Sequence, residues 1–264
     1  MRKLAALAAS LLSVCAFAGG AGAVVYGSPD GDAHPYVGVV RFWDGSGRYL
    51  QRCSGTMLSP RVLLTAAHCT AGAASARVWL TSSAPSISDV NAGIGDPGHP
   101  GTPYTNPGWH GLLPPDTHDV GVVVLSAPVA GLSTFGQLPS VGQFDSLGAK
   151  RGLQNELFTL VGYGLQGVRP EYVELVQRFA GTARFVSDNS PFTAGFNFQL
   201  STDPGAPHSG GACFGDSGGP VFYGSSTVIA GVNSFLRGEN CVGSNFAHRV
   251  DLADENAWIR SFLP

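Results

Sequence analysis

Turn-forming residues interrupt this chain so often that no long helix and no long strand fits between them. Its 264 residues include 37 glycines and 18 prolines. Between them lie short β-rich runs: Tyr36 to Phe42, Val62 to Thr65, Arg77 to Leu80, Val120 to Leu125, Phe158 to Val161, Val221 to Tyr223 and Val228 to Val232. Repeated short strands bounded by turn residues predict an all-β barrel or sandwich. One stretch reads as helix, at about 253–263. There Asp254 and Glu255 precede Ala257, Trp258, Ile259, Phe262 and Leu263, placing acids at the positive end of the helix dipole and apolar residues at helical spacing. Ala92 to Asp116 is dominated by Gly and Pro, with His and Tyr interspersed, and is expected to be a long surface loop.

The N-terminus has a different character. Arg2 and Lys3 lead into an apolar stretch from Leu4 to Phe17 and then into the small residues Ala21, Gly22 and Ala23. That order predicts a secretory signal peptide over 1–23. The apolar stretch is shorter than the roughly 20 residues that span a bilayer. Cleavage after Ala23 makes Val24 the first residue of a mature domain over 24–264. A competing reading of Leu12-Ser13-Val14-Cys15 as a lipid-attachment box has valine in a poor position before the cysteine. Of five cysteines, Cys15 leaves with the leader, and the even set Cys53, Cys69, Cys213 and Cys241 in an exported chain predicts two disulfides. Sequence alone permits three pairings. The formal net charge is -3, with 15 Lys plus Arg and no basic run, which argues against a nucleic-acid partner.

Three segments carry chemistry. Gly215-Asp216-Ser217-Gly218-Gly219-Pro220 sets a serine among glycines, where two backbone N–H groups can converge on one point, the requirement of an oxyanion hole. Taken alone such a string is more often a plain turn. Thr65-Ala66-Ala67-His68-Cys69 ends an apolar strand with an imidazole whose neighbour a disulfide can lock. His118-Asp119, at the head of the apolar run Val120 to Leu125, puts an acid where it is costly to bury unless something pairs with it, and His68 is the natural partner.

In the order His, Asp, Ser, these segments resemble the chymotrypsin/trypsin family of serine peptidases. The resemblance implies two six-stranded antiparallel β-barrels packed together, about 24–135 and 136–252, followed by the short C-terminal helix. It also implies a triad in which Ser217 is the nucleophile, His68 the base and Asp119 the group that fixes the imidazole tautomer. The N–H groups of Gly215 and Ser217 would form the oxyanion hole. By the same resemblance Cys53 pairs with Cys69 and Cys213 with Cys241. Val24-Val25-Tyr26-Gly27 resembles the family's inserted N-terminus, with Asp216 as the acid that pairs with the Val24 ammonium. Signal cleavage would then make the active form directly.

For specificity, the position where trypsin-type relatives carry an acid is Gly211, followed by Ala212. Cleavage after Arg or Lys is therefore not expected. Ser234-Phe235-Leu236 resembles the wall segment that pairs with substrate backbone. Leu236 and Asn245 should narrow the slot toward small or medium uncharged side chains, while Asn233 and Asn245 could instead favour a polar group. The other histidines, His34, His99, His110, His208 and His248, show no paired metal-ligand spacing. The expectation is a secreted monomeric endopeptidase acting on polypeptides, with no cofactor, no metal and no membrane contact after processing.

Two rival readings fit parts of the sequence. The string around Ser217 also matches the GxSxG elbow of α/β-hydrolases, but that fold needs long alternating helices and an acid and histidine after the serine, where only Glu239 and His248 are available in order. The other is a protease fold kept for binding after loss of turnover, which the unusual pocket wall allows and the intact triad opposes. If the disulfides brace the two catalytic loops, strong reductant should abolish turnover before far-UV circular dichroism changes. Unchanged turnover in reductant would contradict that bracing role.

Overall fold

The computed structural model describes residues 24–148, 156–168, 173–203, 208 and 210–264. The expected leader at 1–23 lies outside them. Strands dominate: β1 (Ser28–Pro29), β2 (Val37–Trp43), β3 (Tyr49–Met57), β4 (Val62–Thr65), β5 (Ser75–Trp79), β6 (His99–Thr105), β7 (Gly121–Leu125), β8 (Leu157–Gly162), β9 (Phe179–Ser187), β10 (Asn197–Thr202), β11 (Pro220–Tyr223), β12 (Ile229–Arg237) and β13 (Gly243–Arg249). Three short helices accompany them, α1 (Ala67–Thr70), α2 (Ile87–Ala92) and α3 (Ala253–Arg260). None is long and apolar enough to cross a membrane.

Two antiparallel barrels result. The first closes in the order β2-β3-β4-β7-β6-β5. In the second, the order β9-β10-β13-β12-β11-β8 closes through pairing of β8 with β9, and β1 adds to the β9 edge. Apolar residues of the first barrel, Val40, Phe42, Leu63, Leu64 and Val122 among them, form a core that runs on into Val161, Phe222, Ile229 and Val232 of the second. The second barrel keeps its own core of Phe158, Leu160, Phe185, Phe198, Leu200 and Val221. Burial of such side chains contributes about 1.5–3 kcal/mol each, so the shared core ties the barrels into one body.

The expected loop over Ala92 to Asp116 is only partly a loop. Its middle, His99–Thr105, is strand β6, which hydrogen-bonds to β5 on one side and β7 on the other and so completes the first barrel. Two prolines and a glycine hid it. Gly101 is needed because a Cβ there would come within 2.6 Å of the Val123 side chain. β3 also escaped the pattern, since Gln51-Arg52-Cys53-Ser54-Gly55-Thr56 reads as polar. Ser54 and Thr56 are buried nonetheless, because this strand faces the second barrel as well as its own.

One buried cation holds the back of the molecule. Arg178, fully enclosed, donates from Nε to Asp30 Oδ2 at 2.9 Å, and from Nη1 to the carbonyls of Val37 and Leu80, each at 3.0 Å. It joins the N-terminal segment, the first barrel and the start of β9. Asp30 has a lowered pKa: burial pushes it up, but hydrogen bonding and charge from His34, with Arg178 behind, outweigh that. Replacing Arg178 with leucine takes the buried cation from Asp30, leaving that carboxylate to His34 alone, and strips several carbonyls of their donor, a loss of about 3–5 kcal/mol. The denaturant midpoint of Arg178→Leu should fall accordingly with an unchanged slope. A midpoint equal to the parent's would refute the clamp.

Candidate active site

The first barrel supplies the imidazole and its acid. β4 ends at Thr65, and the chain turns at once into the single turn α1, which carries His68. Asp119, two residues before β7 begins, is completely buried. Its Oδ1 accepts the His68 backbone N–H at 2.8 Å and its Oδ2 lies 2.8 Å from His68 Nδ1. Ser234 Oγ donates a short hydrogen bond to the same Oδ2. Burial raises the Asp119 pKa, but the charge of His68 and these three hydrogen bonds prevail, and the net shift is downward. Asp119 is therefore an anion at neutral pH, accepts the proton on Nδ1, and leaves Nε2 of His68 as the lone-pair nitrogen.

Asp119 is positioned from behind as well. His118, just before it, adopts a left-handed φ of 44°, an uncommon conformation for a residue with a side chain. The ring is clamped there. Its Nδ1 lies 2.8 Å from Glu255 Oε1 on α3, and Glu255 also accepts from Asn106 Nδ2 at 2.7 Å and approaches His248 Nε2 at 3.2 Å. Burial depresses the His118 pKa, yet Glu255, Asp116 and Asp254 together raise it. The C-terminal helix thus fixes the backbone that presents Asp119.

The second barrel supplies the serine. Within 213–219, the N–H of Asp216 bonds to Cys213 O at 2.9 Å, that of Gly218 to Asn233 O at 2.7 Å and that of Gly219 to Asp216 O at 2.8 Å. Among the described residues the N–H groups of Gly215 and Ser217 have no partner, so both remain available to an anion. Gly218 is obligatory: φ is 74°, and a Cβ there would stand 2.1 Å from Thr65 Oγ1. Ser54 of β3 reaches across from the other barrel. It donates its N–H to Ser217 O at 2.8 Å and its hydroxyl to Gly215 O at 2.9 Å.

The disulfides join Cys53 to Cys69 and Cys213 to Cys241. One ties β3 to the residue after His68; the other ties the serine loop to the segment between β12 and β13. His68 and Ser217 line one cavity of about 430 Å³, with Ala212, Phe214, Asn233, Leu236, Glu239 and Phe246 among its walls. Ser217 makes no side-chain hydrogen bond among the described residues. Such contacts are commonly loose without substrate and tighten when it binds. Trp109 and Leu112, from the loop after β6, complete the rim beside His68.

Of the expected pocket residues, Ser234, Phe235 and Leu236 face the cavity, whereas Gly211 and Asn245 stand behind its wall. The Gly211 N–H bonds to Val25 O, and its missing side chain points at Thr202. Asn245 is the cross-strand partner of Leu236 and is held by Thr202. Asn233, Phe246 and Phe214 shape the cavity more directly. Sequence reading missed the roles of Ser234 toward Asp119, of Ser54 and of Glu255; each is a contact between segments more than 100 residues apart.

Two six-stranded antiparallel barrels that offer histidine and aspartate from one side of a cleft and serine from the other define the chymotrypsin-like serine protease class. The chain belongs to the trypsin family, described as Trypsin, which it matches over residues 28–259. Among solved structures it is similar to HL collagenase, with 21% identity and a TM-score of 0.68 over 90% of this chain and 97% of that one. It is also similar to human heparin binding protein, 18% identical with a TM-score of 0.61 over 90% and 96% of the two chains. A scabies mite inactivated protease paralogue, S-I1, gives 18% and 0.61 over 90% and 98%. At these identities the likeness establishes the fold. Comparison with curated proteins finds no match.

Val24 is fully buried and its N–H is hydrogen-bonded to Asp216, whose other donors are the N–H groups of Gly164 (2.8 Å) and Cys213 (2.9 Å). With an uncharged peptide nitrogen there, desolvation dominates and pushes the Asp216 pKa from 3.8 up to about 6. The protonated acid then contributes stability that is complete below pH 3.8 and lost as pH rises through about 6. An α-ammonium at Val24 reverses this by favouring the carboxylate. Protein beginning at Val24 should therefore melt higher at pH 7.5 than protein carrying one extra N-terminal methionine, and the gap should close by pH 4. Equal melting temperatures at pH 7.5 would show that the ammonium does not reach Asp216.

Proposed function

We propose that this protein is an exported serine endopeptidase that hydrolyses peptide bonds through an acyl-enzyme formed on Ser217. The observation that carries this reading is a buried Asp119 carboxylate bonded to both the backbone and the ring of His68, in a cavity shared with Ser217. The trypsin-family fold supports a peptidase role, and the first 23 residues and two disulfides support export.

In this reading His68 Nε2 takes the Ser217 hydroxyl proton as Oγ bonds to the scissile carbonyl carbon. The carbonyl oxygen becomes an anion and is stabilised by the N–H groups of Gly215 and Ser217, which have no partner among the described residues. Collapse expels the amine, which receives the proton from His68, and a water activated by the same imidazole then hydrolyses the ester. Asp119 holds the tautomer and stabilises the transient imidazolium. Substrate backbone adds as a strand along Ser234–Leu236, where β12 runs beyond its pairing with β11 at Pro220 and offers an open edge. With Leu236, Phe235 and Phe246 in the wall, the residue before the scissile bond is small or medium and uncharged. Cleavage after Ala23 generates the Val24 ammonium and with it the working loop.

Active-site titration with a fluorophosphonate probe tests the reading. Protein beginning at Val24 should label stoichiometrically and Ser217→Ala not at all. Asp119→Asn, which strands the imidazole in the wrong tautomer, should lower kcat by about 10³–10⁴ with little change in KM. Activity should fall on the alkaline side as the α-ammonium, ordinarily near pKa 8 and raised by Asp216, is lost. No labelling with a verified Val24 terminus would instead leave a protease fold used for recognition.

A further inference from the structure

The wall beside Ser217 contains a hydrogen-bond donor that nothing in the protein uses. Asn233, on β12, lines the cavity and is 2% exposed, and its Nδ2 is buried with no partner among the described residues. The backbone of Asn233 is pinned to the serine loop by its exchange with Gly218 and Gly219. Its Oδ1 is already engaged: Asn245 Nδ2 approaches it at 3.5 Å, and Asn245 Oδ1 accepts from Thr202 Oγ1 at 3.1 Å. Thr202, Asn245 and Asn233 thus form a polar line leading from behind the pocket to its wall, and each group orients the next.

A buried donor left unmade is costly, and an apolar substrate side chain would keep it so. A carboxylate would satisfy it only by burying a charge without a counter-ion. None of the described residues lining the cavity is Lys or Arg, and Glu239 adds a like charge. A neutral carboxamide meets both conditions. It carries an acceptor and a donor pair, so it matches Asn233 in either orientation of that amide. The flanks suit its methylenes: Leu236 lines one side, and Phe235 and Phe246 stack with centroids 4.6 Å apart.

We propose that this pocket selects asparagine or glutamine before the scissile bond, with Asn233 as the specificity-determining residue. This rests on the peptidase reading above. The test uses two near-isosteric substrate pairs, asparagine against leucine and glutamine against methionine, in otherwise identical peptides. They are assayed on protein beginning at Val24 and on Asn233→Val, each normalised by active-site titration. In the parent, kcat/KM should favour the carboxamide by about tenfold or more in both pairs, the scale of one buried hydrogen bond. In Asn233→Val the ratio should fall to about one or invert. Equal or better cleavage of leucine and methionine peptides by the parent overturns the proposal, whether or not the variant folds. So does a ratio that survives in the variant, or a preference for aspartate or glutamate. In each of those cases probe labelling keeps the peptidase reading intact, whereas absence of labelling and turnover removes both.

Discussion

A single buried carboxylate organises the catalytic half of this molecule. Asp216 sits out of water between the two barrels, and an anion there must be met by donors or it protonates. The N–H groups of Gly164 and Cys213 turn inward to meet it, which closes the backbone from 213 to 216 into a tight loop. Within that loop the N–H groups of Gly215 and Ser217 have no partner among the described residues. The same acid accepts the N–H of buried Val24, and the segment after it is paired in turn: Val25 bridges to Gly211 and Ser28–Pro29 joins the β9 edge. The serine loop, the seating of Val24 and the segment behind the cavity wall are thus one arrangement seen from three sides.

The opposite wall depends on a second buried acid solved differently. Asp119 has no backbone cage of its own. It relies on His68, through both ring and main chain, and on the hydroxyl of Ser234. Ser234 belongs to the second barrel and Asp119 to the first, so that bond also registers one barrel on the other, as Ser54 does from the reverse direction. Each barrel therefore completes the other's site. A shift at the interface would disturb the imidazole and the serine loop together, and this is why the continuous apolar core beneath them matters to chemistry as well as stability.

These dependencies explain what was legible in the sequence. The segments around His68, Asp119 and Ser217 could be read because local chain chemistry shapes them: small residues before the histidine, an apolar strand after the aspartate, glycines around the serine. Strands Val62–Thr65 and Gly121–Leu125 announced themselves by unbroken apolar character. β3 and β6 did not, because a strand at a barrel interface carries Ser and Thr inward and a strand crossing close to its neighbour carries glycine. β9, β10 and β13 hid their pairing in the same way, with polar residues such as Asn197, Asn245 and His248 turned into a polar seam rather than into oil. The pocket was least legible. Whether Gly211, Asn233 or Asn245 faces the cavity is decided by strand register and a bulge between Asn233 and Phe235, which no spacing rule supplies.

The two kinds of site chemistry also differ in what carries them. On the proposed function, attack, proton transfer and oxyanion binding would rest on backbone groups and on three side chains held by both barrels, and would tolerate wide divergence in the rest of the chain. On the same proposal, selection of substrate would rest on a few wall side chains, Leu236 and Asn233 above all, held by weaker and more replaceable contacts such as the 3.5 Å approach of Asn245. A fold built this way can change what it cuts without touching how it cuts. The polar line from Thr202 to Asn233 lies wholly on the replaceable side of that division, and the catalytic geometry can stay fixed while it varies.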